Sequence, residues 1–349
     1  MNLSFYQGKR VLVTGHTGFK GAWLCKILVQ AGAQVTGYSL QPPTQPNLFA
    51  LAGLSTQMTS VIGDVRDLAH LKEVFATAPP EIVFHLAAQP IVRESYRAPV
   101  DTYATNVMGT VNVLECVRLN PCVKSVLNVT TDKVYLNKEW PWGYRENEEL
   151  DGFDPYSNSK SCSELVTHSY QKSFFDQMDV AVSTARAGNV IGGGDFAPDR
   201  IIPDCVRAAM KKAPIIVRNP HSTRPYQHVL EPLSAYLLIA QRQWEQKELQ
   251  GYYNVGPDEC DCVTTGELVD TFCTAWGEGQ SWENQFVGGP HEAGFLKLDC
   301  SLIKQKLGWF PKWHIQDAIE KAVAWTKAYA ENPTDTAVME AQIQAYFQN

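Results

Sequence analysis

The sequence predicts an α/β fold: a doubly wound parallel sheet with a smaller, interleaved C-terminal domain. Three observations predict it. Short apolar runs alternate with helix-length segments through roughly the first half of the chain, and a chain that alternates in this way buries its strands between two layers of helices. The first apolar run, Val11-Leu12-Val13, leads into Gly15-His16-Thr17-Gly18-Phe19-Lys20-Gly21 and then into a helical pattern. Beyond about residue 189 glycine and proline become frequent and the runs shorten, which marks a change of architecture.

Taken in order, residues 9–14, 34–38, 59–62, 82–86, 123–129 and 180–186 read as buried strands, each short and apolar. Between them, residues 19–31, 68–77, 102–119 and 156–176 carry helical patterns. Ligands of such sheets bind at the carboxyl ends of the strands. Gly15, Tyr38-Ser39, Asp64, Ala87-Ala88 and Thr130-Thr131 are therefore the positions to inspect. Residues 228–241 read as one further strand-helix unit. The expected division is a Rossmann-type domain of 1–188 plus about 225–256, and a substrate-binding domain of about 189–224 and 257–349. Residues 136–155 are long for a connection and hold Trp140, Trp142 and several acids; a binding loop and a solvated surface are both open readings.

The 349 residues, 44% hydrophobic and 19% charged, suit a globular chain with a sizeable core. A net charge of −7 argues against a general nucleic-acid binder, so an anionic ligand must be held by a few local cations. No apolar stretch approaches the length of a membrane span, and residues 1–7 lack the layout of a signal peptide. The nine cysteines include no C-x-x-C pair, and Cys260 and Cys262 have no histidine cluster beside them in sequence. A reduced, cytoplasmic protein without a metal site is the expectation.

The glycine segment suits a pyrophosphate. Glycine lets the backbone turn tightly and approach a ligand, and the following helix points its positive end at phosphates. The spacing is G-x-x-G-x-x-G, not the commoner G-x-G-x-x-G, and a purely structural turn is the plain alternative. Tyr156 and Lys160 lie four apart at the start of a helical pattern, hence on one face. An ammonium beside a phenol favours the phenolate, which makes a general base for a hydroxyl proton. Thr130-Thr131-Asp132-Lys133 follows the fifth strand, on the ligand side of the sheet.

Together, Gly15–Gly21, Asp64, His85-Leu86-Ala87-Ala88-Gln89, Asn106, Thr131-Asp132-Lys133, Tyr156-x-x-x-Lys160, the run from Arg224 to Glu231 and Leu307-Gly308-Trp309-x-Pro311 resemble the extended short-chain dehydrogenase/reductase family over nearly the whole chain. Within it the likeness is greatest to the 4,6-dehydratases that act on CDP-glucose, through residues 15–24, 131–133, 187–195, 199–204 and 224–232. The resemblance implies a lyase with tightly held NAD, a CDP-glucose substrate, a homodimer and a place in making deoxysugars for surface lipopolysaccharide. It implies that Gly15, Thr17, Gly18, Phe19, Lys20, Gly21, Asp64, Val65, Leu86, Ala87, Ala88, Asn106, Tyr156 and Lys160 bind the cofactor. Arg93, Asn189, Arg200 and Arg224 would bind the sugar nucleotide, arginine being suited to phosphate oxygens. Thr131, Asp132, Lys133, Tyr156 and Lys160 would be catalytic. Tyr156 would take the proton from O4, supported by Lys160, and Thr131 would hydrogen-bond O4. Asp132 is the candidate acid at O6 and Lys133 the candidate base at C5.

Two departures bear on this. Related dTDP-glucose dehydratases carry Asp-Glu where this chain has Asp132-Lys133, and an ordinary lysine titrates near about 10.4, so a basic Lys133 needs desolvation or neighbouring positive charge. No acid ends the second strand, Gly37-Tyr38-Ser39-Leu40, where one normally takes the adenosine ribose, and no arginine stands there for a 2′-phosphate; only the resemblance favours NAD over NADP. Asp64 also reads as a helix N-cap before Leu68, and Arg93 as a surface partner of Glu94. A lone His228 beside a strand reads as structural. The rivals are a 4-epimerase or a UDP- or dTDP-sugar dehydratase, and a non-catalytic dinucleotide-binding regulator. Residues 102–119 and 156–176 carry second apolar faces, Val107, Val111 and Leu114 with Leu165, which suit either a dimer bundle or the cover of the sheet.

Overall fold

The computed structural model describes residues 2–285, 294–334 and 336–348. Its centre is a seven-stranded parallel sheet of β1 (Arg10–Thr14), β2 (Gln34–Ser39), β3 (Thr59–Ile62), β4 (Ile82–His85), β5 (Ser125–Thr131), β6 (Ala181–Ala187) and β7 (Tyr252–Val255). The order is β7-β6-β5-β4-β1-β2-β3. Strands 4, 5 and 6 are buried along their whole length, and β5 and β6 bury Asn128, Thr130, Ser183, Thr184 and Arg186 among their apolar residues. The order reverses between β1 and β4, the position at which sheets of this kind bind ligands beyond the carboxyl ends of their strands.

The helices are α1 (Phe19–Gln30), α2 (Leu68–Thr77), α3 (Gly109–Arg118), α4 (Pro155–Ser173), α5 (Ile201–Met210), α6 (Leu230–Glu245), α7 (Thr265–Trp276), α8 (Ile315–Glu331) and α9 (Ala337–Phe347), with shorter turns between. One face of the sheet is covered by α1 and α6, through Trp23, Leu24, Ile27, Leu233, Tyr236 and Ile239. Ile303, Leu307 and Trp309, and Met339, Ile343 and Tyr346 of α9, join that same core. The other face is covered by α2 and α3, with Val166 and Tyr170 of α4 packed against it. Each such aliphatic or aromatic side chain removed from water contributes about 1.5–3 kcal/mol. Leu114, expected on a second face of its helix, is buried in this core. A third core, from α5, α7 and α8 with Ile215, Val217 and Tyr226, stands apart from the sheet.

The single helix expected over 102–119 is instead three pieces: Pro99–Tyr103, one π-helical turn over Ala104–Met108, and α3. The extra residue in that turn accompanies an inward Asn106, whose amide has partners on another loop. Its Oδ1 accepts from the Gln89 N–H at 2.8 Å, and its Nδ2 donates to the Gln89 carbonyl at 3.1 Å and to Ser159 Oγ at 2.9 Å. Such bulges occur where a side chain must be re-aimed.

Helix α4 starts where its sequence tells it to. Asp154 caps it by accepting from the Ser157 N–H at 3.0 Å, and Pro155 takes the first position, where no N–H is needed. Tyr156 is thereby held in the first turn of α4.

Candidate active site

The glycine turn is built backbone against backbone. Gly15 has φ +78°, and an added Cβ would lie 2.8 Å from the Ala87 nitrogen. A Cβ on Gly21 would lie 2.1 Å from the Gly15 carbonyl oxygen. Gly18 precedes α1 without a side chain to cap it, so the first-turn N–H groups have no side-chain acceptor from the cap residue. The turn is a cradle that side chains would fill, at the positive end of a helix. Leu86, Ala87 and Ala88, which follow β4, form its opposite wall; the Ala87 N–H donates to Thr14 Oγ1 at 3.2 Å.

At the end of β2, where an acid is usual, Ser39 Oγ lies 2.8 Å from Thr17 Oγ1, and Thr17 donates to the Leu40 carbonyl at 2.9 Å. Asp64 is not the cap of α2. Asp67 is, accepting from the His70 N–H, while the Asp64 carboxylate is held by Arg66 at 2.6 Å; this hydrogen bond holds its pKa below the usual range. Val65 is buried in the core beside Gly109, and its carbonyl accepts from Asn112.

A cavity of about 1060 Å³ lies beyond the carboxyl ends of β5 and β6, against the third core. Thr131, Lys133 and Tyr156 line it together with Arg93, Asn189, Arg200 and Arg224, as do Phe19 and Lys20. Residues spread over 206 positions of sequence thus share one chamber. Arg93 does not pair with Glu94, which takes Arg97; its guanidinium is 3.8 Å from Asp199. Arg200 holds Asp195 at 2.9 Å, and Arg224 donates to the Thr223 carbonyl at 2.9 Å. The long 136–155 segment is neither free nor merely solvated. Tyr135, Tyr144 and Trp140 stack in a row, and Leu136, Asn137, Glu139 and Phe153 are part of the cavity wall.

The candidate catalytic groups form one hydrogen-bonded chain. The Thr131 side chain is bonded to the Tyr156 hydroxyl, and Thr131 Oγ1 donates to Asp132 Oδ1 at 2.9 Å. Lys133 Nζ donates to the same Asp132 oxygen at 2.9 Å and to Asn189 Oδ1 at 3.2 Å. Asp132 is fully buried, and its Oδ2 has no partner among the described residues. That oxygen faces Gly188, where an added Cβ would sit 3.2 Å away.

Lys160 is held by the backbone of β5. Its ammonium donates to the Val129 carbonyl at 3.0 Å, and burial pushes Tyr156 up to about 12, with the Thr131 hydrogen bond opposing. Burial also brings Lys160 down to about 8, with Glu164 working the other way. Lys20 falls to about 7, first by burial and then by repulsion from Arg200. His228 is buried between Trp23 and Trp313 and accepts from the Leu230 N–H, a structural position.

Sequence reasoning missed two residues, one in this wall and one behind it. Arg218 ends a three-residue strand, Ile215–Val217, and lies 3.3 Å from Asp199; an arginine directly after Ile-Ile-Val was the available signal. Tyr236 of α6 underlies Lys20, whose Nζ donates to its hydroxyl at 3.3 Å; nothing local distinguishes Tyr236 from other core residues. Among the described residues no helix is long and apolar enough to cross a membrane.

The family model described as GDP-mannose 4,6 dehydratase matches residues 12–322. A CDP-glucose 4,6-dehydratase of Salmonella typhimurium is 51% identical over 332 residues, 93% of this chain and 92% of that protein. Two solved structures share the fold at lower identity. The UDP-glucose 4-epimerase of Thermotoga maritima gives a TM-score of 0.81 at 20% identity, covering 92% of this chain and 99% of that one. The dTDP-glucose 4,6-dehydratase of Bacillus anthracis, in complex with NAD, gives 0.78 at 23% identity, covering 93% and 99%.

Proposed function

The chain belongs to the GDP-mannose 4,6-dehydratase family, and from that premise we propose that it removes water from CDP-glucose to give CDP-4-keto-6-deoxy-D-glucose, with NAD as a cofactor restored in each turnover. The observation that carries this reading is the run Tyr156–Thr131–Asp132–Lys133, of which Tyr156, Thr131 and Lys133 line the cavity and Asp132 lies buried behind them. A 4-epimerase needs a base for O4 but no acid-base pair for an elimination, and a regulator needs neither.

The cofactor's expected site fits. Gly15, Gly18 and Gly21 would hold the pyrophosphate on the uncapped end of α1, with Thr17 and Ser39 near the adenosine ribose and Asp64, Val65, Ala87, Ala88 and Asn106 around the rest. When bound, NAD accepts a hydride from the sugar and returns it. Tyr156 takes the O4 proton and, being bonded to Thr131, is already aimed into the cavity. Lys133 removes the C5 proton made acidic by the 4-keto group. Asp132 protonates the departing O6 hydroxyl, with Oδ2, unpartnered among the described residues, as the oxygen free for that proton. Arg93, Asn189, Arg200 and Arg224 bind the sugar nucleotide, balancing an anionic ligand within a chain of net charge −7. Residues 1–188 with about 225–256 carry the cofactor, and 189–224 with 257–349 the substrate.

Mass spectrometry of purified protein with CDP-glucose and far less than one equivalent of NAD⁺ tests the reading. Most of the sugar nucleotide should lose one water with no net reduced cofactor. Turnover of UDP- or dTDP-glucose but not CDP-glucose would correct the base; no product from any of the three would end the proposal.

The protein is also proposed to act in the cytoplasm, as a homodimer. Val100, Met108 and Leu165 are 79%, 51% and 53% exposed on the helices that flank one face of the sheet, a patch suited to a second copy. Light scattering should give twice the chain mass; a single chain mass at micromolar concentration would exclude the dimer.

A further inference from the structure

Away from the cavity, three metal-ligating side chains meet that are far apart in sequence. The Cys260 thiol, the Asp261 carboxylate and the His314 imidazole place their donor atoms within 4.8 Å of one another. Cys260 and Asp261 lie in the turn Glu259–Asp261, and His314 is the residue before α8. We propose that Cys260, Asp261 and His314 bind one divalent cation of the zinc class, as a structural clamp between that turn and the start of α8.

The donor set is one sulfur, one nitrogen and one oxygen, the mixture that favours zinc and its borderline neighbours over magnesium or calcium. The geometry is close to what the ion needs. Zinc bond lengths place neighbouring ligand atoms of a tetrahedron about 3.3–3.6 Å apart. Cys260 Sγ is 3.7 Å from Asp261 Oδ2, and His314 Nδ1 is 2.9 Å from the same oxygen. The second distance has to open by a few tenths of an ångström, and the thiol and imidazole, within 4.8 Å of one another, have to draw together. The fourth position faces solvent, because Cys260 and His314 are exposed.

Asp261 is the fixed point. It is 5% exposed, and its other oxygen accepts from the Ile315 N–H at 3.0 Å, so one carboxylate both caps α8 and faces the thiol and the imidazole. The surroundings are acidic. Asp261 raises the thiol of Cys260, with Asp258 adding to it, and Asp261 raises His314, with Asp317 and Asp258 adding to it. Lys304 neutralises Asp258 and Lys297 neutralises Glu259, which leaves the charge of Asp261 itself to attract the ion.

None of the three residues lines the cavity, and the ion takes no part in the reaction proposed above. Its effect is mechanical. The turn leads into the strand Cys262–Thr264, which pairs antiparallel with Thr223–Pro225, setting Val263 opposite Arg224. A clamp at Cys260–His314 therefore steadies the ribbon that carries a cavity arginine.

The test is a Co²⁺ titration of the full chain after chelator treatment. It should saturate at one ion per chain, with the near-ultraviolet charge-transfer band of a thiolate bound to cobalt, and Zn²⁺ should displace the Co²⁺. Cys260→Ser should abolish the band. His314→Ser, which keeps a good N-cap for α8, should weaken Co²⁺ binding at least tenfold. Zn²⁺ should raise the unfolding midpoint of the parent but of neither variant. Circular dichroism checks that both variants fold. No saturable binding by the parent, or an unchanged band and affinity in either folded variant, overturns the proposal; the latter would send the ion to another cysteine.

Discussion

Tyr156→Phe is expected to lower turnover of CDP-glucose by about 10²–10⁴-fold, the usual span for loss of a general base, with KM little changed. The ring stays in place in the first turn of α4, capped by Asp154, so the change removes one hydroxyl and little else. The pH dependence makes the test sharper. Burial holds the phenol up at about 12 in the ligand-free protein, so it carries its proton at neutral pH. The active phenolate then becomes more populated as pH rises, and kcat/KM of the parent should climb through the neutral range. That slope should vanish in Tyr156→Phe. A variant that keeps both its rate and its slope would remove Tyr156 from the chemistry.

Lys133→Ala is expected to stop the reaction after its first half. Oxidation at C4 does not need this amine, so bound substrate should still reduce the cofactor, visible as nicotinamide absorbance under single-turnover conditions. Water loss and exchange of the C5 proton with D₂O should both fall by about 10²–10⁴-fold. The distinction matters because Lys133 donates to both of its observed partners, Asp132 and Asn189. If it only holds Asp132 in place, C5 exchange will survive in the variant. Dehydration at close to the parent rate would assign the base elsewhere, with Asp132 itself the next candidate.

Much of the architecture could be read from local pattern. All six strands read from the sequence are present, shifted by two residues at most, because buried parallel strands are short apolar runs with turns at both ends. The helix over residues 102–119 was read too simply. Its π-turn accompanies an Asn106 amide bonded to Gln89 and Ser159, partners 17 and 53 residues away, and periodicity carries no trace of them. The domain boundaries, too, were drawn from composition, whereas Trp309, Met339 and Tyr346 pack with α1 and α6 on the sheet. Asp64 looked like a helix cap because caps are common before helices, but Asp67 stands closer to the first turn.

The candidate site divides in the same way. Residue type and spacing announce the glycine turn, the Tyr156–Lys160 pair and the acid-base couple after β5, because each is a chemistry held within a few residues of backbone. Whether Lys160 meets the phenol, which oxygen of Asp132 is free, and which arginines share a chamber are matters of packing between distant segments. Burial dominates both groups, desolvation raising the Tyr156 phenol and lowering Lys160. The meeting of Cys260 and His314 is of the same kind. Reach along the chain limits what a motif can state, and those two donors are 54 positions apart, so only the closing of the fold could bring them together.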